Sequence, residues 1–124
     1  MTISDAAVLT VGAIHFVIAA AEMFLWKRPA IYTRLRRLNL DQKEADKVAP
    51  IVANAGLYNA FLASGLVWSV MGNEGAPAPK FFFLICVAIA GIFGAATLNW
   101  KPLVLQTLPS VIAAILVALS LKSQ

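Results

Sequence analysis

The sequence predicts an all-α protein, an integral membrane four-helix bundle with an amphipathic connection between its first two helices. Hydrophobic residues make up 60% of the 124 residues and charged residues only 13%, which leaves too little polar surface for a soluble domain of this size. Four apolar runs are long enough to cross about 30 Å of hydrocarbon as helices. Tryptophans at the ends of these runs suit an aromatic belt at the membrane interfaces, namely Trp26, Trp68 and Trp100.

The predicted spans form a single domain over residues 1–124 and lie at residues 6–26, 51–71, 81–98 and 103–121. Backbone polar groups in lipid must be satisfied within the segment, and no alternating barrel pattern is present, so each run is expected to be a helix. Pro50 suits the first turn of the second span, where its missing N–H is not needed. The segments 73–79 and 99–102 are expected to be turns.

The distribution of basic residues predicts the orientation. Seven of the ten lysines and arginines lie between the first two spans, and Lys101 falls on the same side of the membrane. Only Lys80 and Lys122 fall on the other side. The positive-inside rule then predicts a multi-pass protein of the cell membrane, with both termini outside and the 27–49 connection in the cytoplasm.

The connection itself has a helical pattern. Its apolar residues recur at helical spacing and are Ile31, Leu35, Leu38, Ala45 and Val48. We therefore expect an amphipathic helix that lies on the headgroups or extends the first or second span. The basic residues are not interleaved with base-stacking aromatic residues, so the lipid bilayer is the expected partner and nucleic acid is not.

Glu22 and His15 are the only ionisable side chains within the first predicted span. A charged group at the bilayer centre costs roughly 2.5–3.5 kcal/mol, so membrane proteins rarely keep one without a use. Seven residues are nearly two helical turns, which puts both side chains on one face about 10 Å apart. We predict that Glu22 is a catalytic acid or base or a hydrogen-bond acceptor, and that His15 is a donor, proton acceptor or cofactor ligand. The structural alternatives are an interfacial ion pair for Glu22 and an interhelical hydrogen bond for His15.

Further polar residues follow in the second and fourth spans. Counting about 1.5 Å per residue from the cytoplasmic ends places them in the same half of the membrane as Glu22. The ligand-binding candidates are Asn54, Tyr58, Asn59 and Gln106, and packing between helices is the alternative role for them. Pro109 releases the carbonyl of Leu105 from helix bonding and predicts a kink. No metal-ligand spacing is present, so no metal site is predicted.

The clustering predicts an intramembrane site for a lipophilic small molecule near the cytoplasmic face. Four thin helices enclose little volume, so a sizeable ligand would lie between subunits, and a homo-oligomer is expected. Ladders of small residues in the second and third spans, such as Gly56/Ala60/Ser64, would let helix backbones approach closely.

Two segments carry a family resemblance, HFVIAAAEMFLW at 15–26 and NAGLYNAFLA at 54–63. They resemble the small four-span membrane proteins called domain of unknown function 1304, over essentially the whole chain. The resemblance implies no established activity. It does imply that one site is formed by His15, Glu22, Asn54, Gly56, Tyr58 and Asn59.

The architecture is also similar to that of the membrane-associated eicosanoid and glutathione metabolism proteins, which are trimeric four-helix bundles. That similarity implies a trimer with isomerase or transferase activity. Their second helix has an arginine four residues before its asparagine and a glutamate three after it. Here those places hold Pro50 and Leu57, which argues against glutathione. Related isomerases hold a haem in the same architecture, so the cofactor is left open, with haem on His15 as one alternative.

Small multidrug-resistance exporters offer a competing function. They too are four-span proteins of similar length with one glutamate in the first helix, which binds protons and cationic drugs in turn. Glu22 would take that role in a proton-coupled transporter. This chain differs from the exporters in having a long basic connection and in lacking their glycine-rich signature in the third helix. A structural assembly module is the third alternative.

Overall fold

The computed structural model describes residues 1–35, 40–72 and 76–123. Within these residues the chain is helical, with no strand, and the helices are α1 (Ile3–Ala20), α2 (Pro29–Leu35), α3 (Gln42–Met71), α4 (Pro77–Thr97) and α5 (Leu108–Lys122). A π-helical segment, Ala21–Leu25, continues α1, and a second one, Leu103–Thr107, precedes α5. The all-α prediction is confirmed.

Four helical stretches are long and apolar enough to cross a membrane, and they run over Ile3–Leu25, Gln42–Met71, Pro77–Thr97 and Leu103–Lys122. The protein is therefore a multi-pass membrane protein built as a four-helix bundle. α1 packs on α3 and α5, and α4 packs on α5 and α3. We call the end of the bundle that carries the 27–49 connection the basic end, and the opposite end, with both chain termini, the terminal end.

The largest apolar core lies toward the terminal end. All four spanning helices contribute to it, and its buried members are Val8, Val11, Leu66, Leu84, Val87, Ala113 and Val117. Close packing of such aliphatic side chains holds helices together in lipid, where burial from water does not drive association. Glu22 lies outside this core, in the part of the first span nearest the basic end.

An ion pair joins α1 to α4 at the terminal end. Lys80 Nζ lies 2.7 Å from Asp5 Oδ1, and their side chains are only 7% and 15% exposed. Asp5 also completes a capping box with Thr2, which starts α1. Residues 73–75 of the expected turn at 73–79 lie outside the described residues. α4 begins at Pro77, within that segment, and places Lys80 in its first turn. Proline suits this position since its missing N–H is not needed there.

α3 begins at Gln42, not near Ile51. A capping box explains the early start: the Asp41 side chain accepts from the Glu44 N–H at 2.8 Å, and Glu44 accepts from the Asp41 N–H at 3.0 Å. Pro50 therefore lies inside the helix and not in its first turn. The nine added residues lengthen the second span by about 14 Å at its basic end.

The described part of the connection between the first two spans packs back onto the bundle. Trp26 is only 2% exposed, and its indole N–H donates to the Ala45 carbonyl at 2.9 Å. Its ring centroid lies 6.2 Å from that of Tyr32 in α2. The expected amphipathic helix is thus α2 together with the early start of α3, while Leu38 lies outside the described residues. Trp26 is an anchor for the connection as well as a residue at a span end.

Candidate functional site

Glu22 lies in the π-helical segment that ends the first span. A π-helix bonds N–H groups to carbonyls five residues back, and single π turns inside α-helices occur frequently at functional sites. The Glu22 side chain is 5% exposed. The acidic side chain near the end of this apolar span is thus turned into the bundle.

Asn59 of α3 meets Glu22. Its side-chain amide donates to Glu22 Oε2 at 2.9 Å. The helices come this close because Gly56, one turn before Asn59, has no side chain: a Cβ there would lie 2.7 Å from Met23 Cγ and 3.0 Å from Glu22 Cβ. The glycine therefore permits the approach that allows the carboxylate and the amide to bond.

The second π-helical segment carries Gln106. Pro109 has no N–H for the Leu105 carbonyl, and just before it the Leu108 N–H bonds to the Leu103 carbonyl, five residues back. The Thr107 hydroxyl donates to the Ala88 carbonyl of α4 at 3.0 Å. The irregularity expected from Pro109 is thus a π turn, and the Thr107 hydrogen bond holds this turn against α4.

A cavity of about 200 Å³ lies where these segments meet, and we call it the polar cavity. Its apolar lining comes from Ile18, Ala90, Gly94, Leu98, Pro102 and Leu105, and its polar lining from Glu22, Asn59, Asn99, Lys101 and Gln106. One carboxylate, one ammonium and three amides therefore border a space inside a membrane bundle. Such a set can donate to and accept from the same bound molecule.

A second cavity, of about 380 Å³, also has Glu22 in its lining. It lies between the end of the first span and α3, and exposed charged residues, Lys27 and Asp46, also line it. Glu22 thus stands between the polar cavity and a space at the basic end of the bundle.

Asn54 and Tyr58 do not join Glu22. Both are exposed on the outer face of α3, and the Tyr58 ring packs edge-on against Phe61 with centroids 6.1 Å apart. Successive residues turn about 100° around a helix, so Asn59 can face α1 while Tyr58 faces away. Within one chain, the structure brings Glu22, Asn59 and Gln106 together, and leaves Asn54 and Tyr58 outside. Ligand binding by these two residues stays a prediction.

His15 is fully buried, and it does not line the polar cavity. Its Nδ1 lies 2.9 Å from the Val11 carbonyl, one turn back on α1. Its Nε2 is buried and has no hydrogen-bond partner among the described residues. A haem does not fit on this side chain, because neither nitrogen faces a space that could hold one within the described part of the chain.

One comparison with known proteins bears on the chain. A family model described as protein of unknown function (DUF1304) matches residues 9–118. The chain belongs to this family. No curated protein and no solved structure matches it. The matched range covers most of the first span, all of the two middle ones and most of the last, so the resemblance expected from segments 15–26 and 54–63 is confirmed.

The candidate site of this DUF1304 protein includes residues that the sequence did not identify as site residues. The sequence predicts Lys101 only as a charge that sets the orientation and Asn99 only as part of a turn, yet both line the polar cavity. The Asn99 side chain also accepts from the Lys101 N–H at 3.0 Å. The signal was available, since a corner between the last two spans must lie at the same end of the bundle as Glu22.

Proposed function

We propose that this protein binds a lipophilic small molecule inside the membrane, with the polar cavity as its site. The observation that carries the proposal is the bond between Asn59 and Glu22, which holds a buried carboxylate at the edge of that cavity. Ionisable residues inside spans are costly and usually mark substrate or proton pathways. Ligand sites commonly combine an apolar lining with a few convergent polar groups, as this cavity does.

Four polar residues of the cavity have proposed roles. Glu22 is the acid or base, or the acceptor for a ligand hydroxyl or amide, and Asn59 fixes the orientation of its carboxylate. Gln106 and Lys101 hold the ligand from the opposite wall, while His15, nearly two helical turns deeper, stays a predicted proton donor or acceptor. Isomerisation is the simplest reaction for this set. Glu22 would remove a proton from one atom of the substrate and return it to another, with no second substrate required.

Molecules that co-purify with the protein test this proposal. Wild-type protein, Glu22→Gln and Gln106→Leu would be extracted in a mild detergent and compared by native mass spectrometry and organic extraction. Ile92→Leu, at a lipid-exposed position of α4, is the matched control. We expect a lipid-soluble molecule bound to wild type and control and strongly reduced in both site variants. Equal amounts in all four proteins would overturn the proposal.

Proton-coupled transport is the second candidate function, and one observation favours it. Glu22 borders the polar cavity and also the second cavity at the basic end. A carboxylate reached from two sides could exchange a proton on one side for a cationic substrate on the other. Proteoliposomes would show flux of ethidium driven by a pH gradient and lost in Glu22→Gln. Ethidium flux that is the same with and without the gradient would exclude this function.

We also propose a homo-oligomer that packs along the outer face of α3. Exposed residues there alternate at spacings of three and four and are Pro50, Asn54, Leu57, Phe61, Ser64, Trp68 and Met71. This is the heptad pattern of helices that pack against each other. An exposed Asn54 amide within a span gains a hydrogen bond when a second copy covers it. The architectural similarity noted above implies three copies.

The oligomer has a direct test. Native mass spectrometry of wild type should give a multiple of 13.3 kDa, and Asn54→Leu should shift the protein toward the monomer. Gln42→Leu, at an exposed position outside the heptad stripe, serves as the control. A monomeric mass for wild type across several mild detergents would defeat the proposal.

The proposed location is the cell membrane, with the basic end in the cytoplasm and both termini outside. Lys27, Lys43 and Lys47 are exposed at the basic end, while Lys80 at the terminal end is paired with Asp5. Most lysines and arginines therefore lie at the basic end, with Lys122 as an exposed lysine at the terminal end. The positive-inside rule assigns the end with the larger number to the cytoplasm. In a variant lacking Cys86, a membrane-impermeant thiol reagent should label Ser123→Cys on whole cells and should not label Lys43→Cys.

A further inference from the structure

An apolar groove adjoins the polar cavity, and we call it the α1 groove. It has a volume of about 530 Å³ and is lined by Thr10, Ala13, Ile14, Val17, Ile18, Ala21, Ile31 and Leu105. Ile18 and Leu105 line the polar cavity as well. The two spaces therefore meet at these two side chains.

The lining of the α1 groove is almost entirely hydrocarbon. Thr10 is its only polar residue, and the Thr10 hydroxyl already donates to the Ala6 carbonyl at 2.8 Å. Every other lining side chain is aliphatic. An alkyl chain is the occupant that such a surface suits, because a polar group placed there would lose its hydrogen bonds to water without replacement.

The groove is open to the lipid along its length. Val17 is 69% exposed and Leu105 is 43% exposed, so the side of the groove between α1 and the second π-helical segment faces the bilayer. Ile31 of α2 lies against its basic end. A molecule can thus reach the groove sideways from the membrane, while α2 lies between the groove and the basic end.

The charges at the polar cavity favour a neutral head group. Its lining has one carboxylate, Glu22, and one ammonium, Lys101, whose formal charges cancel. A charged head group would add an uncompensated charge to a space in a membrane bundle, which is costly. A hydroxyl or amide head group can instead donate to the carboxylate and accept from the Gln106 amide.

We propose that the ligand is a neutral single-chain amphiphile that enters from the bilayer. Its hydroxyl or amide head lies in the polar cavity against Glu22 and Asn59, and its alkyl chain passes Ile18 and Leu105 into the α1 groove. This inference rests on the proposed function, because it names the ligand class of the same site. It adds a chain-binding surface and an access route that the polar residues alone do not imply.

Photolabelling with defined probes tests the inference. The first probe is a monoacylglycerol with a diazirine in the middle of its chain, applied to the protein in nanodiscs. We expect labelled peptides from the groove, at Ala13, Ile14 or Val17. A second probe with the diazirine next to the head should instead label Leu98 or Leu105. Labels spread over the exposed faces of α3 and α4, or identical labels from both probes, would overturn the inference.

Variants separate the head from the chain. Ala13 is exposed, so Ala13→Phe fills the groove without disturbing the bundle core, and we expect at least a tenfold loss of mid-chain labelling. Ile92→Phe, at a lipid-exposed position on α4, is the matched control and should label as wild type. Glu22→Gln should reduce labelling by both probes. If Ala13→Phe labels as wild type, the groove does not hold the chain.

Charged analogues test the head group. The same chain bearing a phosphate or a trimethylammonium head should label the groove at least tenfold less than the neutral probe. Equal labelling by a charged analogue would overturn the neutral head. Co-purification that depends on Glu22 while no probe labels the groove would overturn this inference and leave the proposed function standing. Co-purification that is independent of Glu22 would instead remove the proposed function.

Discussion

The Asn59 side-chain amide donates a 2.9 Å hydrogen bond to Glu22, and this bond ties α3 to the π-helical end of the first span. Asn54, only five residues earlier on the same helix, is exposed on the outer face. Two asparagines of one span therefore serve different surfaces. One orients a buried carboxylate inside the bundle, and the other faces the surroundings of the bundle.

The two asparagines should respond differently to substitution. Asn59→Leu removes the donor to a buried carboxylate, which should lower the free energy of unfolding by about 1–3 kcal/mol. Asn54→Leu should change the stability of the monomer by about 0.5 kcal/mol or less, because the side chain is exposed. Unfolding by SDS in mixed micelles, at a concentration where the protein is monomeric, measures both. Equal losses from the two variants would contradict the assignment of Asn59 as the partner of Glu22.

Gly56 should not tolerate even a methyl group. A Cβ at this position would lie 3.1 Å from the Ala19 carbonyl and closer still to Met23 and Glu22, so Gly56→Ala should cost about 1–3 kcal/mol. At Gly12 the nearest atoms to an added Cβ are 3.5 Å away, which is ordinary contact. Gly12→Ala is therefore the control and should be neutral or stabilising, since alanine favours the helix by roughly 0.8–1 kcal/mol. Thermal unfolding in detergent distinguishes the pair.

The effects of substituting Asp5 and Lys80 on stability should be coupled, because the two side chains form the ion pair at the terminal end. Lys80→Met leaves the Asp5 carboxylate without its partner in a largely buried place and should cost about 3 kcal/mol. The double variant Asp5→Asn, Lys80→Met should cost less than the sum of the single variants by about 1–3 kcal/mol. SDS unfolding of the four proteins completes the cycle, with Lys122→Met, an exposed residue, as the control. Strictly additive costs would mean that the 2.7 Å contact contributes nothing.

His15 should be replaceable without loss of stability. His15→Leu loses the hydrogen bond to the Val11 carbonyl, which contributes about 1 kcal/mol to stability. It also removes the buried Nε2, which has no partner in the described residues and destabilises the folded state by about 1–3 kcal/mol. We therefore expect unchanged or higher stability. Leu66→Ala, in the apolar core, should cost about 2–5 kcal/mol in the same assay. A comparable loss from His15→Leu would make His15 a structural residue.

Pro109 should support ligand binding at the polar cavity while lowering the stability of the fold. Pro109→Ala restores an N–H to which the Leu105 carbonyl can bond, so the π turn before it can become regular α-helix. The change would turn Gln106 away from the polar cavity while raising stability by about 1 kcal/mol. Pro77→Ala, at a helix start that proline suits, is the control and should not stabilise. Retained binding in a stabilised Pro109→Ala protein would show that the π turn is not needed for the site.

The sequence was sufficient for some features of the site and not for others. Glu22 was identifiable as an acidic residue in an apolar run, and Pro109 predicted an interruption of regular helix hydrogen bonding. The residue types at 21–25 do not predict a π-helical segment. Whether a helical turn takes up the extra residue of a π-helix depends on how that turn packs against α3. The early start of α3 was readable in the capping box at Asp41 and Glu44, but the apolar pattern of the span obscured it.

The amino-acid sequence by itself determined the membrane class, the four spans and the family, because hydropathy and helix length are local properties. It also located Glu22, the carboxylate that borders the polar cavity. Only the tertiary structure decided which polar side chains meet it. Helix rotation and the close approach at Gly56 select Asn59 and exclude Asn54 and Tyr58, and the corner between the last two spans adds Lys101. A residue's face depends on the packing of whole helices, which no local pattern encodes.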